Sequence, residues 1–230
     1  MPDIKSLADL LLGSGDGRFI GEQIVYRCLM VAGPGTGKTW SSCQLMYHLS
    51  KDCSDAAPVD LWAGSREPVQ FLAQYKDTNF RVAARPAGAP PGRIVKVPVL
   101  IFAQKLAGMI RGHQMNDKIY AEMPLSERDA LLDKPWLEDA FRMECGKEYA
   151  DVLLRALKLR SAIVILDGID EASDVKGIMQ DFVMKRLVAM QISVVLTSRP
   201  EGVSAALSTL TQSFAVMSLR MLMATRRSTL

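Results

Sequence analysis

The stretch Ala32-Gly33-Pro34-Gly35-Thr36-Gly37-Lys38-Thr39 decides how this chain is read. Residues 24–31 ahead of it form a mostly apolar run of strand character, and behind it Trp40, Cys43, Met46, Tyr47 and Leu49 recur at helical spacings. It meets the pattern GxxxxGK(S/T) with Ala32 in the first place, and a strand before with a helix after is the context that pattern requires. Gly33, Gly35 and Gly37 let the backbone wrap an anion closely. Its N–H groups then point inward, at a helix N-terminus whose dipole favours negative charge. Pro34 stiffens the loop. The reading is a cradle for the phosphates of a nucleotide, in which Lys38 reaches the β- and γ-phosphates and the Thr39 hydroxyl holds a magnesium ion.

Two further apolar runs end in polar residues of matching chemistry. Residues 161–166, Ser-Ala-Ile-Val-Ile-Leu, read as a buried β-branched strand that ends in Asp167-Gly168-Ile169-Asp170-Glu171. A carboxylate at the end of a parallel strand, next to the strand bearing the glycine loop, can order the water shell of a magnesium ion together with Thr39, and Asp167 is placed there. Asp170 and Glu171 are left to orient or deprotonate an attacking water, because in-line attack on a γ-phosphate depends mainly on positioning and charge. Residues 192–196 form another short apolar strand, ending in Thr197-Ser198-Arg199-Pro200. Arg199 would share the rim of the glycine loop and sense or stabilise the γ-phosphate.

Between these segments the chain alternates. Ile4, Leu7, Ala8, Leu11 and Leu12 fit an amphipathic helix, ended by Gly13-Ser14-Gly15-Asp16-Gly17. Phe19 and Ile20, shortly before the loop, are candidates to touch a nucleotide base, or simply cover a sheet edge. Residues 50–92 lose their period and gather five prolines, which reads as an insertion or long surface excursion with a short helix at 67–75 and a flexible linker at 84–92. Residues 93–102 return to strand character, and Pro98 argues for an edge position or a bulge. A short helix at 104–110, a polar connection at 113–123 and a helix at 125–132 broken by Pro135 follow. Tyr149, Val152, Leu153, Ala156 and Leu157 then fall on one helical face. Val175, Ile178, Met179, Phe182, Val183, Leu187 and Met190 trace a crossover helix. A short helix at 201–207 and a last strand at 214–219 close the pattern, with residues 223–230 expected to fray.

Strands alternating with helices predict an α/β fold whose parallel sheet is covered on both faces. With 230 residues, 49% of them hydrophobic, the chain can bury a substantial core. A formal charge of +3 with no run of five like charges gives no indication of nucleic acid, and no window approaches the ~18 apolar residues of a membrane span. Cys28, Cys43, Cys53 and Cys145 lack CxxC spacing and read as buried free thiols, in keeping with an intracellular, cytoplasmic protein.

Together, Gly-Pro-Gly-Thr-Gly-Lys-Thr at 33–39, Ile-Leu-Asp-Gly-Ile-Asp-Glu at 165–171 and Leu-Thr-Ser-Arg-Pro at 196–200 resemble the NACHT family of STAND-class P-loop NTPases. The similarity covers residues 20–222, as one NACHT-like domain behind an N-terminal helix and linker at 1–19. It implies a three-layer α/β/α fold of AAA+ and STAND type with strand order 5-1-4-3-2. By the same resemblance Asp167 is the magnesium aspartate, Gly168 the small residue after it, Asp170 the acidic residue three positions on, and Arg199 the sensor arginine. Ala32 in place of a glycine and the length of the 50–92 excursion depart from the family pattern. So does the absence of the helical and winged-helix domains that usually follow, which makes the chain read as truncated before its regulatory part. The function implied is binding and slow hydrolysis of ATP, or another nucleoside triphosphate, with magnesium, and self-association through the NTPase domain. The alternative is a non-catalytic interaction domain whose bound nucleotide is a structural core or assembly signal. No Asn-Lys-x-Asp follows the acidic strand, which weakens a GTPase reading.

Overall fold

The computed structural model describes residues 4–12, 27–56, 96–202 and 212–219. The expected elements at 67–75 and 84–92, the candidates Phe19 and Ile20 and the 223–230 tail lie outside them, as does most of the 201–207 helix. Five parallel strands form a single sheet. They are β1 (Arg27–Ala32), β2 (Val97–Phe102), β3 (Ala162–Asp167), β4 (Ser193–Ser198) and β5 (Ala215–Leu219), in the order β2-β3-β4-β1-β5. Counted from the β5 edge this is 5-1-4-3-2. β2, with Pro98, stands at one edge, where a residue lacking an N–H interrupts least. β3 is not a neighbour of β1: β4 lies between them, so the expected adjacency of the Asp167 strand and the glycine-loop strand is corrected.

Strand alternation builds two cores from one sequence pattern. In β3 every residue is buried, and Ala162, Val164 and Leu166 join one apolar cluster while Ile163 and Ile165 join another. β4 divides likewise, Val194 and Leu196 to one face and Val195 to the other. The smaller cluster is closed by α1 (Ile4–Leu12), through Leu7, Ala8 and Leu11, and by α2 (Lys38–Ala56), through Leu45 and Leu49. The larger one is closed by α3 (Ala103–Gly112), α4 (Asp117–Glu122), α5 (Leu125–Leu132), α6 (Trp136–Lys158) and α7 (Lys176–Phe182). The result is a sheet between two helical layers. No helix among the described residues is long and apolar enough to cross a membrane.

Local chemistry explains where the helices differ from expectation. The buried side of α2 is Ser41, Ser42, Leu45 and Leu49, whereas Trp40 is 60% and Tyr47 58% exposed and Cys43 is exposed. Cys28 alone of the described thiols is fully buried, and burial pushes it up to about 12. The supposed polar connection at 113–123 contains α4, because Asn116 Oδ1 accepts the Ile119 N–H as an N-cap and Tyr120 is buried with its hydroxyl on Asp181 at 2.8 Å. Asp117 then accepts the N–H groups of Gly177 and Ile178 at 2.9 and 3.1 Å, capping the first turn of α7 from another helix. α6 begins directly after Pro135 and is interrupted at Gly146, whose φ of 75° no helix contains. Trp136, Leu137, Ala140 and Phe141 are buried before the interruption and Ala150, Leu153, Ala156 and Leu157 after it, leaving Tyr149 and Val152 exposed. α7 passes into a π-turn at Val183–Leu187, and Met190 beyond it is exposed.

Candidate functional site

Parallel strands put their carboxyl ends on one rim, and register fixes which ends meet. Met30 of β1 pairs with Thr197 of β4, and Leu166 of β3 pairs with Leu196, so Thr197 and Asp167 stand at one level of the sheet and Ala32 lies two residues further toward the rim. From β1 the chain turns sharply at Gly33, whose carbonyl accepts both the Thr36 N–H at 3.3 Å and the Thr36 hydroxyl at 2.7 Å. Gly35 and Gly37 have φ of 73° and 82°, a left-handed backbone that a side chain would strain. The chain then enters α2 at Lys38, and the Ser41 N–H bonds the Gly37 carbonyl at 2.8 Å. The leading N–H groups of this 19-residue helix are therefore presented at the loop.

At the end of β3, Asp167 is 4% exposed and its carboxylate is held entirely by hydroxyls among the described residues. Thr39 donates to Oδ2 at 2.9 Å, Ser42 to Oδ1 at 2.8 Å, and Thr197 to Oδ1. The Thr197 oxygen in turn accepts the Gly168 N–H at 2.8 Å, so one side chain of β4 fixes both the carboxylate and the turn after it. α2 packs across β4 onto β3, and this brings Thr39 to Asp167 although their strands are not neighbours. Thr39 and Asp167 are hard oxygen donors suited to magnesium. No cluster of three or more His, Cys, Asp or Glu in metal-binding arrangement occurs among the described residues.

Beyond Asp167 the backbone passes through Gly168 at φ 81°, ψ 47° into a 3-10 turn, Ile169–Glu171, anchored by the buried Ile169. A Cβ at Gly168 would also lie 3.1 Å from the Glu171 carboxyl carbon. The turn points its two carboxylates differently. Asp170 Oδ1 accepts from Lys38 Nζ at 2.7 Å and from the Arg199 N–H at 3.1 Å, while Oδ2 faces Arg199 Nε at 3.2 Å. The side chains of Lys38 and Asp170 are each 9% exposed. Glu171 is one-third exposed and lies 3.5 Å from Lys38 Nζ.

These elements enclose an open depression of about 220 Å³. The loop and first helical turn, residues 32–35 and 37–40, form one wall, and Glu171 and Arg199 form the other. Every expected site residue thus lies in or beside one cavity, with three distinctions. Thr36 turns back onto Gly33 instead of facing the cavity, Asp170 sits behind the wall beneath Lys38 and Arg199, and Asp167 is covered by hydroxyls. Ser42, Thr197 and Trp40 belong to the site but were not picked out for it from the sequence. Ser42 lies one helical turn beyond Thr39, and Thr197 is the hydroxyl that breaks an apolar strand, which were the signals available. Comparison with protein families, with curated proteins and with solved structures gave no match.

Proposed function

We propose that this chain is a magnesium-dependent nucleoside triphosphate-binding and slowly hydrolysing module, a P-loop NTPase of NACHT and STAND type, with ATP as its first candidate ligand. The observation that carries the reading is the Thr39–Asp167 contact of 2.9 Å at the foot of the glycine loop, with Arg199 on the facing wall. A glycine-rich turn of purely structural purpose needs neither the hydroxyl–carboxylate pair nor two cations converging on the same cavity.

In this reading residues 33–37 and the first turn of α2 bind phosphate oxygens through backbone N–H groups, and Lys38 holds the β- and γ-phosphates. Magnesium held by Thr39 and Asp167 would offset the charge of those phosphates. Ser42 and Thr197 orient Asp167 from behind. Arg199 meets the terminal phosphate from the other wall. Glu171, the carboxylate exposed to the cavity, positions and polarises the attacking water, while Asp170 orients Lys38 and Arg199.

The experiment is phosphate release from ATP by the purified chain, against Lys38→Ala and Glu171→Gln. Turnover that is lost in the first and slowed about 10²–10⁴-fold in the second, with binding retained, supports the assignment. A second reading, nucleotide-dependent association without turnover, is favoured by the exposed Trp40 and Tyr47 on one side of α2. Absence of phosphate release, together with an ATP-dependent change in oligomer size, selects it.

A further inference from the structure

We propose that the Asp170 carboxylate is a built-in competitor for the terminal phosphate, and that it restrains the preference of the site for nucleoside triphosphate over diphosphate. The inference rests on the nucleotide reading above and concerns the specificity of the same site. Three donors converge on this one carboxylate: Lys38 Nζ at 2.7 Å, the Arg199 main-chain N–H at 3.1 Å and Arg199 Nε at 3.2 Å. The two side-chain donors are the cations that the cavity offers to a phosphate. A carboxylate and a terminal phosphate are alike as acceptors, planar or tetrahedral groups of oxygens that take charge-assisted hydrogen bonds from the same ammonium and guanidinium.

Asp170 is also held in place independently of those cations. Its turn is pinned by the buried Ile169, and the turn bond from the Glu171 N–H to the Gly168 carbonyl is 2.9 Å. The site side chains bring two cations, Lys38 and Arg199, against three carboxylates, Asp167, Asp170 and Glu171, so one negative charge is in excess. Phosphate entry is therefore an exchange. An incoming phosphate oxygen takes over donors already engaged, instead of adding to free ones. A triphosphate that takes both cations must displace Asp170 from both, whereas a diphosphate that reaches Lys38 but falls short of Arg199 displaces it from one, so the competition costs the triphosphate more. Glu171 is the internal contrast: it touches Lys38 only at 3.5 Å and faces the cavity.

The test is isothermal titration calorimetry of the full chain with ATP and with ADP at fixed magnesium, for wild type, Asp170→Asn, Glu171→Gln and Lys38→Ala. Asp170→Asn keeps the shape and an oxygen acceptor for the Arg199 N–H while releasing both cations. It is expected to bind ATP about tenfold more tightly or better, corresponding to ~1.4 kcal/mol, with a smaller gain for ADP. Glu171→Gln is expected to gain less and to leave the ATP-to-ADP ratio near its wild-type value. Circular dichroism melts establish that each variant is folded, and Asp170→Ser replaces the amide if that variant is not. Unchanged or weaker ATP binding in a folded Asp170 variant, or equal gains at Asp170 and Glu171, overturns the proposal while loss of binding in Lys38→Ala upholds the nucleotide reading. Wild type and all variants failing to bind removes the nucleotide reading, and the competitor role with it.

Discussion

Asp167 and Asp170 stand three residues apart, at and just beyond the end of the same strand, yet their surroundings are of opposite kinds. Asp167 is gripped by the hydroxyls of Thr39, Ser42 and Thr197, which orient its charge without cancelling it. Asp170 is gripped by Lys38 and Arg199, which cancel it. A buried carboxylate with only neutral donors retains its appetite for a cation, and one with cationic donors has already spent it. Residue type and chain position do not separate these roles. The partners do, and they arrive from α2 and β4, far away in sequence. The glycine at 168 makes the division possible, because its left-handed backbone swings the chain from the hydroxyl pocket to the cation pair within one residue.

Substitutions that exchange or remove these partners sharpen or break the contrast. The largest effect is expected at Lys38. Lys38→Met should weaken binding of magnesium–ATP by roughly a hundredfold or more, since loss of a hydrogen-bonded charge contact costs ~2–5 kcal/mol, and a binding titration reads it directly. Next comes Asp167→Asn, which should reduce affinity for the magnesium complex about 10–100-fold while changing magnesium-free binding little. If both forms weaken equally, Asp167 and Asp170 are not divided as described. A smaller change is expected for Thr197→Val, which strips one hydroxyl from Asp167 and leaves the Gly168 N–H without its acceptor. It should cost ~1–3 kcal/mol in urea denaturation, with nucleotide affinity altered only through Asp167.

The smallest lies outside the site and gives a scale for exposed pairs. The guanidinium of Arg111 holds the Asp174 carboxyl below its ordinary value. A depressed carboxylate contributes stability that is present above its unfolded value and is lost as pH falls through the folded one. Asp174→Asn should therefore lower the melting temperature slightly near neutrality, with the difference from wild type vanishing in acid. A large difference at neutral pH would show that this surface pair matters more than exposed pairs usually do.

What the sequence disclosed follows the same division between local and distant chemistry. The apolar runs at β2, β3 and β4 were legible because strand burial is written into consecutive residues. So were the glycine loop and the acidic strand end, because each is a contiguous pattern with a physical purpose. The helical spacing after the loop announced α2 but not which side of it is buried. Trp40 and Tyr47 are exposed, and Ser41 and Ser42 are buried, Ser42 as a donor to Asp167. No periodicity announces that contact. α4 was hidden for a related reason: only Tyr120 in it is buried, and its start depends on the Asn116 cap. The separation of Asp167 from Asp170 was equally out of reach, since both partners of Asp170 act across the sheet rim, 132 residues away in the case of Lys38.

The most direct measurement of the central claim is a thermal-shift series of the purified chain with ATP, ADP and GTP, each with magnesium. A ligand that binds only the folded state at about one hundred times its Kd adds ~2.7 kcal/mol, and each kcal/mol moves the melting point of a chain this size by ~2–4 °C. The account predicts a rise of roughly 5–10 °C with magnesium–ATP that disappears in Lys38→Ala. A melting temperature unmoved by all three nucleotides would contradict it.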